Sequence, residues 1–290
     1  MKTKKIVQRT SCILLMITAL LLVFRAGYYK GTKQVNITAP LKKESATKPM
    51  APVFTPQKNE TLRFVPKQLN GQEKVAYEQL QKTIWDMSPS TTISDISYQQ
   101  LINIERLLFQ SPEIFWIKSP AWFVEQETGY QLFFEYCMTV AERDEVLEKI
   151  DTITTKILQH IDSDNPQEII HAGCNWLQKN TRYASKNGLP NESVSSQSIT
   201  GPLLEKEGIC SGYAKTILYL LGKAGHPIGY CMGWYNDTYH AWVAFETDEQ
   251  TFYIDPTACV TINSSSTAAE ELGLEYNLEV LDWYTPAKNN

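Results

Sequence analysis

The chain has 290 residues, of which 43% are hydrophobic and 20% charged, and its formal net charge is −5. This composition is ordinary for a globular protein, and the length is sufficient for one large or two small domains. The acidic balance and the lack of a basic run beyond the first residues argue against nucleic-acid binding, so we expect no nucleic-acid partner.

A basic N-terminus precedes a short apolar run. Four of the first nine residues are Lys or Arg, and residues 12–24 are almost entirely apolar. This pattern is typical of an export signal. The run is shorter than the ~20 residues that a membrane span needs, and no Ala-x-Ala cleavage site is evident. We therefore expect residues 1–30 to be either a cleaved signal peptide or a retained membrane anchor. In both cases the body is exported, as a secreted or an outward-facing anchored protein.

Residues 31–71 read as a flexible linker, because they are rich in Lys, Thr, Pro, Ala, Asn and Gln and have few periodic apolar positions. The sequence pattern of residues 72–164 predicts a small α+β subdomain. We assign no catalytic residue to it. Its helical patterns start at Gln72, at Leu101 and at Ala141, and an aromatic-rich hairpin turns at Glu127-Thr128-Gly129.

The first chemical motif lies at residues 208–214, with the sequence Gly-Ile-Cys-Ser-Gly-Tyr-Ala. Apolar residues then recur at helical spacing until Gly225, so a helix is predicted to begin at Cys210. Unpaired N–H groups and the positive end of the macrodipole at a helix N-terminus lower the pKa of a thiol. Cys210 is therefore a candidate nucleophile.

Two further motifs, His-Ala-Trp at residues 240–242 and Asp-Pro-Thr at residues 255–257, lie on predicted strands. Antiparallel pairing about a turn near Asp248 places Asp255 opposite His240 to within about two residues. Asp255 would then orient one ring nitrogen of His240 and leave the other for the Cys210 thiol. Alternation assigns the flanking residues to two faces: His240, Trp242, Tyr253 and Asp255 on one, and Ala241, Val243, Phe245, Phe252 and Ile254 on the other.

Together the three motifs resemble the transglutaminase-like superfamily over roughly residues 169–257. The resemblance implies that Cys210 is the nucleophile, His240 the base and Asp255 the residue that orients the base. It also implies an α+β, papain-like core, in which the cysteine-bearing helix packs on an antiparallel sheet. We expect residues 165–290 to form this catalytic domain. Members of the superfamily include crosslinking enzymes, proteases, amidases and proteins that have lost the triad.

Three other side chains are weaker candidates for the site. Gln197 lies in a segment that resembles the lead-in to the cysteine in bacterial members, and its amide is a candidate donor to an oxyanion. Trp242 and Tyr253 flank the face that carries His240 and are candidate substrate contacts. Aromatic residues in strands more often serve packing, and that alternative stays open.

Five cysteines lie outside the N-terminal apolar run: Cys137, Cys174, Cys210, Cys231 and Cys259. If Cys210 is the catalytic thiol, the other four can form up to two disulfides or can be small buried hydrophobes, and spacing does not decide. The four histidines form no metal-ligand motif with the cysteines, so we predict neither a metal nor a cofactor.

The sequence thus predicts an exported cysteine acyltransferase or cysteine peptidase that acts on amide bonds of proteins or peptides through a thioester. Water as the acceptor makes a protease or amidase, and a lysine amine makes a transglutaminase. The absence of a calcium-type acidic loop slightly favours hydrolysis. Two alternatives are a surface module that binds protein or cell wall without turnover, and a peptidoglycan-handling enzyme suggested only by the predicted location.

Overall fold

The computed structural model describes residues 62–118, 121–159, 161, 165–186, 189–235, 238–247, 250–262 and 276–288. The predicted export signal lies outside these residues, as does most of the predicted linker. None of the helices in the described ranges is both long enough and apolar enough to span a membrane.

Helices and strands are interspersed along the described part of the chain. The helices are α1 (Gly71–Trp85), α2 (Tyr98–Gln110), α3 (Val140–Leu158), α4 (Pro166–Asn180) and α5 (Cys210–Lys223), and a π-helical turn spans Gly201–Glu205. The strands are β1 (Leu62–Pro66), β2 (Ser90–Ser94), β3 (Trp122–Gln126), β4 (Gly129–Phe133), β5 (Arg182–Tyr183), β6 (Ser185–Lys186), β7 (Leu189–Pro190), β8 (Glu207–Gly208), β9 (Ile228–Tyr235), β10 (Thr238–Glu246), β11 (Thr251–Asp255), β12 (Val260–Ile262) and β13 (Tyr276–Lys288).

The main sheet has six strands in the order β1-β13-β9-β10-β11-β12, and each strand is antiparallel to its neighbours. Helix α5 packs on one face of this sheet. Its apolar residues share a core with the face of β10 and β11 that alternation predicts to be buried. The core residues that make this contact include Ala214, Ile217, Leu218, Leu221, Ala241, Val243, Phe245 and Ile254.

This arrangement confirms the predicted fold class, which is α+β with the cysteine-bearing helix on an antiparallel sheet. The preceding α+β part is also present, with the three-stranded sheet β2-β4-β3 beside α1, α2 and α3. Contacts cross from this part to the main sheet and to α5: Nζ of Lys215 donates to the carbonyl of Phe109 at 2.6 Å, and the Tyr284 hydroxyl donates to the carbonyl of Leu107 at 3.0 Å. The domain boundary after residue 164 stays a prediction.

Strand β1 lies within the range 31–71 that the sequence predicts as linker, so that prediction extends too far. β1 pairs with β13, and Phe64 in its centre is fully buried. The Phe64 ring fills the space beside Gly222 of α5, where an added Cβ would lie 2.3 Å from the ring. Burying such a side chain stabilises the fold by about 2 kcal/mol. Strand β1 has only five residues and its partner strand is distant in sequence, so its local sequence pattern is too weak to predict a strand.

Candidate active site

Cys210 is the first residue of α5, as predicted, and it is half-buried. The backbone of the preceding loop lies on this first helical turn, where the N–H of Ile209 donates to the carbonyl of Ser196 at 3.0 Å. Gly212 makes the close approach possible, because a Cβ there would lie 2.3 Å from the same carbonyl oxygen. The Cys-x-Gly spacing therefore positions the thiol next to the loop at residues 195–200.

His240 is the third residue of β10 and is 7% exposed. It lies beyond the last pair that β10 forms with β11, Val243 with Ile254, and opposite Gly233 of β9. Its ring lies over that of Trp242, with centroids 6.4 Å apart and an interplanar angle of 25°. The imidazole is thus confined by the packing around its own strand.

Asp255 ends β11 and is 2% exposed. Continuing the β10–β11 register places it opposite Trp242, two residues from His240 and on the same face. Its Oδ2 accepts a 2.8 Å hydrogen bond from Nε2 of His240, and its Oδ1 accepts one of 2.8 Å from the N–H of Thr257. Both carboxylate oxygens of Asp255 therefore accept a hydrogen bond. The predicted proximity of His240 and Asp255 is confirmed.

The Cys210 thiol completes the constellation. The His240 ring and the backbone N–H of Ala241 lie close enough to the thiol to lower its pKa. Because Nε2 of His240 is bonded to Asp255, Nδ1 is the ring nitrogen left for the thiol. The structure thus brings together the three residues that the sequence proposes as a triad.

The groups around Cys210 and His240 favour the thiolate form of Cys210 and the imidazolium form of His240. Burial raises the pKa of the Cys210 thiol, but the charge of His240 and the hydrogen bonds from His240 and Ala241 outweigh it, so the pKa falls below its usual 9.0. Burial lowers the pKa of His240, but the Asp255 carboxylate and the Cys210 thiolate raise it from 6.5 to about 10. Between these two pKa values the site holds a thiolate beside an imidazolium.

The weaker candidates are placed differently. Gln197 is half-buried, and its Nε2 donates to the carbonyl of Glu192 at 3.0 Å. Trp242 is 1% exposed and packs in a cluster with Cys231 and Ala244, against which half-buried Tyr253 lies. Trp242 therefore offers almost no surface to a substrate, which corrects that prediction. The reason is that side chains cover β10 on both faces, which alternation alone does not reveal.

Two backbone groups of the site, the N–H groups of Ala241 and Thr257, are not among the residues that the sequence predicts. Backbone groups carry no residue signature, so the contact from Ala241 to sulfur has no sequence signal. The contact from Thr257 does have one, because an aspartate commonly accepts a hydrogen bond from the N–H two residues on. The motif Asp-Pro-Thr fits that turn.

Within the described residues, no group of three or more His, Cys, Asp and Glu side chains comes together to hold a metal ion. The five cysteines outside the N-terminal run are all unbonded thiols. The groups that meet in the candidate site are a thiol, an imidazole and a carboxylate. Such a set defines a candidate cysteine enzyme.

Comparison with known proteins agrees with that class. Residues 151–256 match the family model of the transglutaminase-like superfamily, which confirms the resemblance. A solved structure described as "Crystal structure of a TGase" is similar at 13% identity and a TM-score of 0.37. The match covers 53% of this chain and 49% of the other, about half the length of that structure. Among curated proteins, none matches.

Proposed function

We propose that this protein is a cysteine enzyme that acts on amide bonds of proteins or peptides through a thioester. Cys210 is the nucleophile, His240 carries the proton and Asp255 orients His240. The observation that carries the proposal is the buried 2.8 Å hydrogen bond between His240 and Asp255, beside a Cys210 thiol whose pKa the charge of His240 lowers. The match to the transglutaminase-like superfamily supports it.

Acylation starts from the thiolate–imidazolium pair. The Cys210 sulfur attacks the amide carbonyl carbon, and the carbonyl oxygen gains negative charge. The first N–H groups of α5 have no acceptor within the helix, which makes them the donors expected to stabilise this oxyanion. The His240 imidazolium then gives its proton to the leaving amine, and a thioester remains on Cys210.

Deacylation uses the neutral imidazole that acylation leaves behind. His240 takes a proton from water or from an amine, which attacks the thioester carbonyl and releases the product. The thiolate–imidazolium pair is then restored. Water yields a protease or amidase, whereas a lysine amine yields a crosslinked product. We favour hydrolysis, because the sequence has no acidic loop of the calcium-binding type.

Location and substrate form the second part of the proposal. The basic and apolar pattern of residues 1–30 supports an exported protein that is either secreted or held at the outer face of a membrane. An enzyme in that place meets extracellular proteins and the peptides of a cell wall. We therefore propose a protein or peptide substrate that is associated with the cell surface.

The first test is the labelling of Cys210 with iodoacetamide as a function of pH, read by peptide mass spectrometry. We expect labelling well below the free-thiol pKa of about 8.5. The exposed thiol of Cys137 is the internal reference, and the His240→Ala variant is the matched control. Labelling of Cys210 that is slow and unchanged in His240→Ala contradicts an activated thiol and favours a binding module instead.

The second test identifies the acceptor. The protein is incubated with casein and a fluorescent primary amine, and peptide release and amine incorporation are measured in parallel. Release of peptides without incorporation indicates hydrolysis, and incorporation indicates amine transfer. Cys210→Ala is expected to abolish either activity, whereas Cys137→Ala is expected to retain it. Equal activity in Cys210→Ala would overturn the proposed mechanism.

A further inference from the structure

An open cavity lies between the end of α3 and the exposed side of α4, and it shares no residue with the candidate active site. Its volume is about 430 Å³, which falls within the range of small-molecule sites. Ile157 and Ala172 supply apolar surface, and Asn175 and Asn180 supply amide groups. None of the described residues that line the cavity is acidic.

Two lysines of the cavity carry positive charges that no described carboxylate neutralises. Lys156 in the last turn of α3 and Lys179 in the last turn of α4 both line it, and both are exposed. Neither forms an ion pair with a described residue, whereas Lys149 of α3 pairs with Glu145. A lysine in the last turn complements the helix dipole, but that role does not require the two side chains to share a cavity. In a chain of net charge −5, their convergence indicates an anionic ligand.

Trp176 gives the same cavity an aromatic surface. It is half-buried, and its carbonyl accepts a 2.8 Å hydrogen bond from Nδ2 of Asn180. The Lys206 ammonium lies 4.6 Å from the centroid of the indole ring, and it donates to the carbonyl of Leu203 at 2.6 Å. This cation–π contact holds the ring in place. A ring that is already ordered loses little freedom when a ligand packs on it.

The combination of charge, indole and amides suits a sugar better than a simple ion. The C–H groups of a sugar ring pack on an indole face, because the indole is apolar and its face carries negative charge density. The hydroxyl groups of a sugar hydrogen-bond with amide side chains, which both donate and accept. A carboxylate of an acidic peptide would use the lysines and leave the indole and the amides without a contact.

We propose that the cavity formed by Lys156, Asn175, Trp176, Lys179 and Asn180 binds an anionic sugar, that is, a sugar ring that carries a carboxylate or a phosphate group. The two lysines bind the anionic group, Trp176 packs on the ring, and the two asparagines bind its hydroxyl groups. The site uses none of the three triad residues, so it does not depend on the proposed amide chemistry. That the sugar belongs to a cell surface rests on the proposed location, whereas the binding itself does not.

The test follows the indole N–H signal of Trp176 by NMR in the full, ¹⁵N-labelled chain. The Trp176→Phe variant assigns the signal by its loss. Glucuronic acid and glucose 6-phosphate are the probes for the carboxylate and the phosphate forms, and glucose and inorganic phosphate are their controls. We expect a saturable shift with at least one anionic sugar, and binding of both controls that is weaker by about tenfold. The anionic sugar that binds more tightly identifies the anionic group.

Three results would overturn the proposal. The first is the absence of a shift with either anionic sugar. The second is inorganic phosphate that binds as tightly as glucose 6-phosphate, because the sugar ring would then contribute nothing. The third is a shift with a hexaglutamate peptide and none with the sugars, which would assign the cavity to acidic peptides.

Variants of the two lysines test the role of charge. Lys156→Gln combined with Lys179→Gln should weaken binding of the anionic sugar by at least about tenfold. The Tm should not change, because both side chains are exposed. Lys74→Gln combined with Lys149→Gln removes two exposed charges outside the cavity and is the matched control, which should keep the affinity. Equal affinity in the two double variants contradicts the assignment of the anionic group to Lys156 and Lys179.

Discussion

Nε2 of His240 donates a hydrogen bond of 2.8 Å to Oδ2 of Asp255, and both side chains are almost completely buried. The contact fixes the orientation of the imidazole ring and leaves Nδ1 for Cys210. Because the carboxylate is shielded from water, its charge acts strongly on the ring. The protonation state of His240 should therefore depend on Asp255 more than on any other residue.

Asp255→Asn should lower the pKa of His240. The carboxylate is the largest contribution that raises this pKa from 6.5 to about 10, and the amide carries no charge. We expect the titration of the His240 ring, followed by NMR, to move to lower pH in the variant. The exposed His171 provides a reference signal in the same spectra. A His240 titration that is the same in both proteins would show that Asp255 does not control the ring.

The rate of the proposed reaction should follow a bell-shaped pH profile. The thiolate–imidazolium pair forms as pH rises through the lowered pKa of Cys210, and it is lost as pH passes the His240 value of about 10. We expect kcat/KM for peptide release or amine incorporation to rise on the acid side below pH 9 and to fall near pH 10. A profile that only rises with pH would show that the imidazolium is not required.

Gly212→Ala should disturb the first turn of α5. The new Cβ would lie 2.3 Å from the carbonyl oxygen of Ser196, and backbone cannot yield as a flexible side chain does. We expect a loss of about 1–3 kcal/mol in the free energy of unfolding and slower alkylation of Cys210. Ser211→Ala, one residue away, adds no atoms and is the matched control. Urea unfolding and iodoacetamide labelling measure the two effects.

Glu105→Met should stabilise the protein at neutral pH. Glu105 is 2% exposed, and neither of its carboxylate oxygens hydrogen-bonds any described residue. Burial raises its pKa from 4.5 to about 8, so the contribution of Glu105 to stability is most favourable below pH 4.5 and worsens as the pH rises to about 8. At pH 7 this penalty is about 3 kcal/mol. The apolar side chain removes the penalty and leaves no unpaired polar group.

Urea unfolding between pH 4 and pH 8 checks the Glu105 prediction. The free energy of unfolding of Glu105→Met should depend less on pH than that of the unsubstituted protein. Glu148→Met, which changes an exposed carboxylate, serves as the control and should keep the original dependence. If both variants keep it, the Glu105 carboxyl does not titrate between pH 4.5 and 8 as burial implies.

Much of the candidate site could be predicted because its partners are close in sequence. His240 and Asp255 belong to two strands joined by one short turn, so the hairpin spacing alone places them within two residues of each other. The helix that begins at Cys210 follows from its apolar period. Which chemical roles the three residues have remains a prediction, since geometry shows only that they meet.

Other features depend on partners that are distant in sequence. The linker that the sequence predicts includes Phe64 and β1, because their partner strand, β13, comes more than two hundred residues later. The sequence predicts Trp242 at the substrate face because alternation does not show what covers that face.

The sequence by itself determined the local elements and the order of the three motifs, because periodicity and turn residues act over a few positions. The tertiary structure decided which of those elements meet, and with that the burial of Trp242 and the pairing of β1 with β13. It also decided the direction of the pKa shifts. Protonation depends on the charges and the water around a group, and these are set only when distant segments pack together.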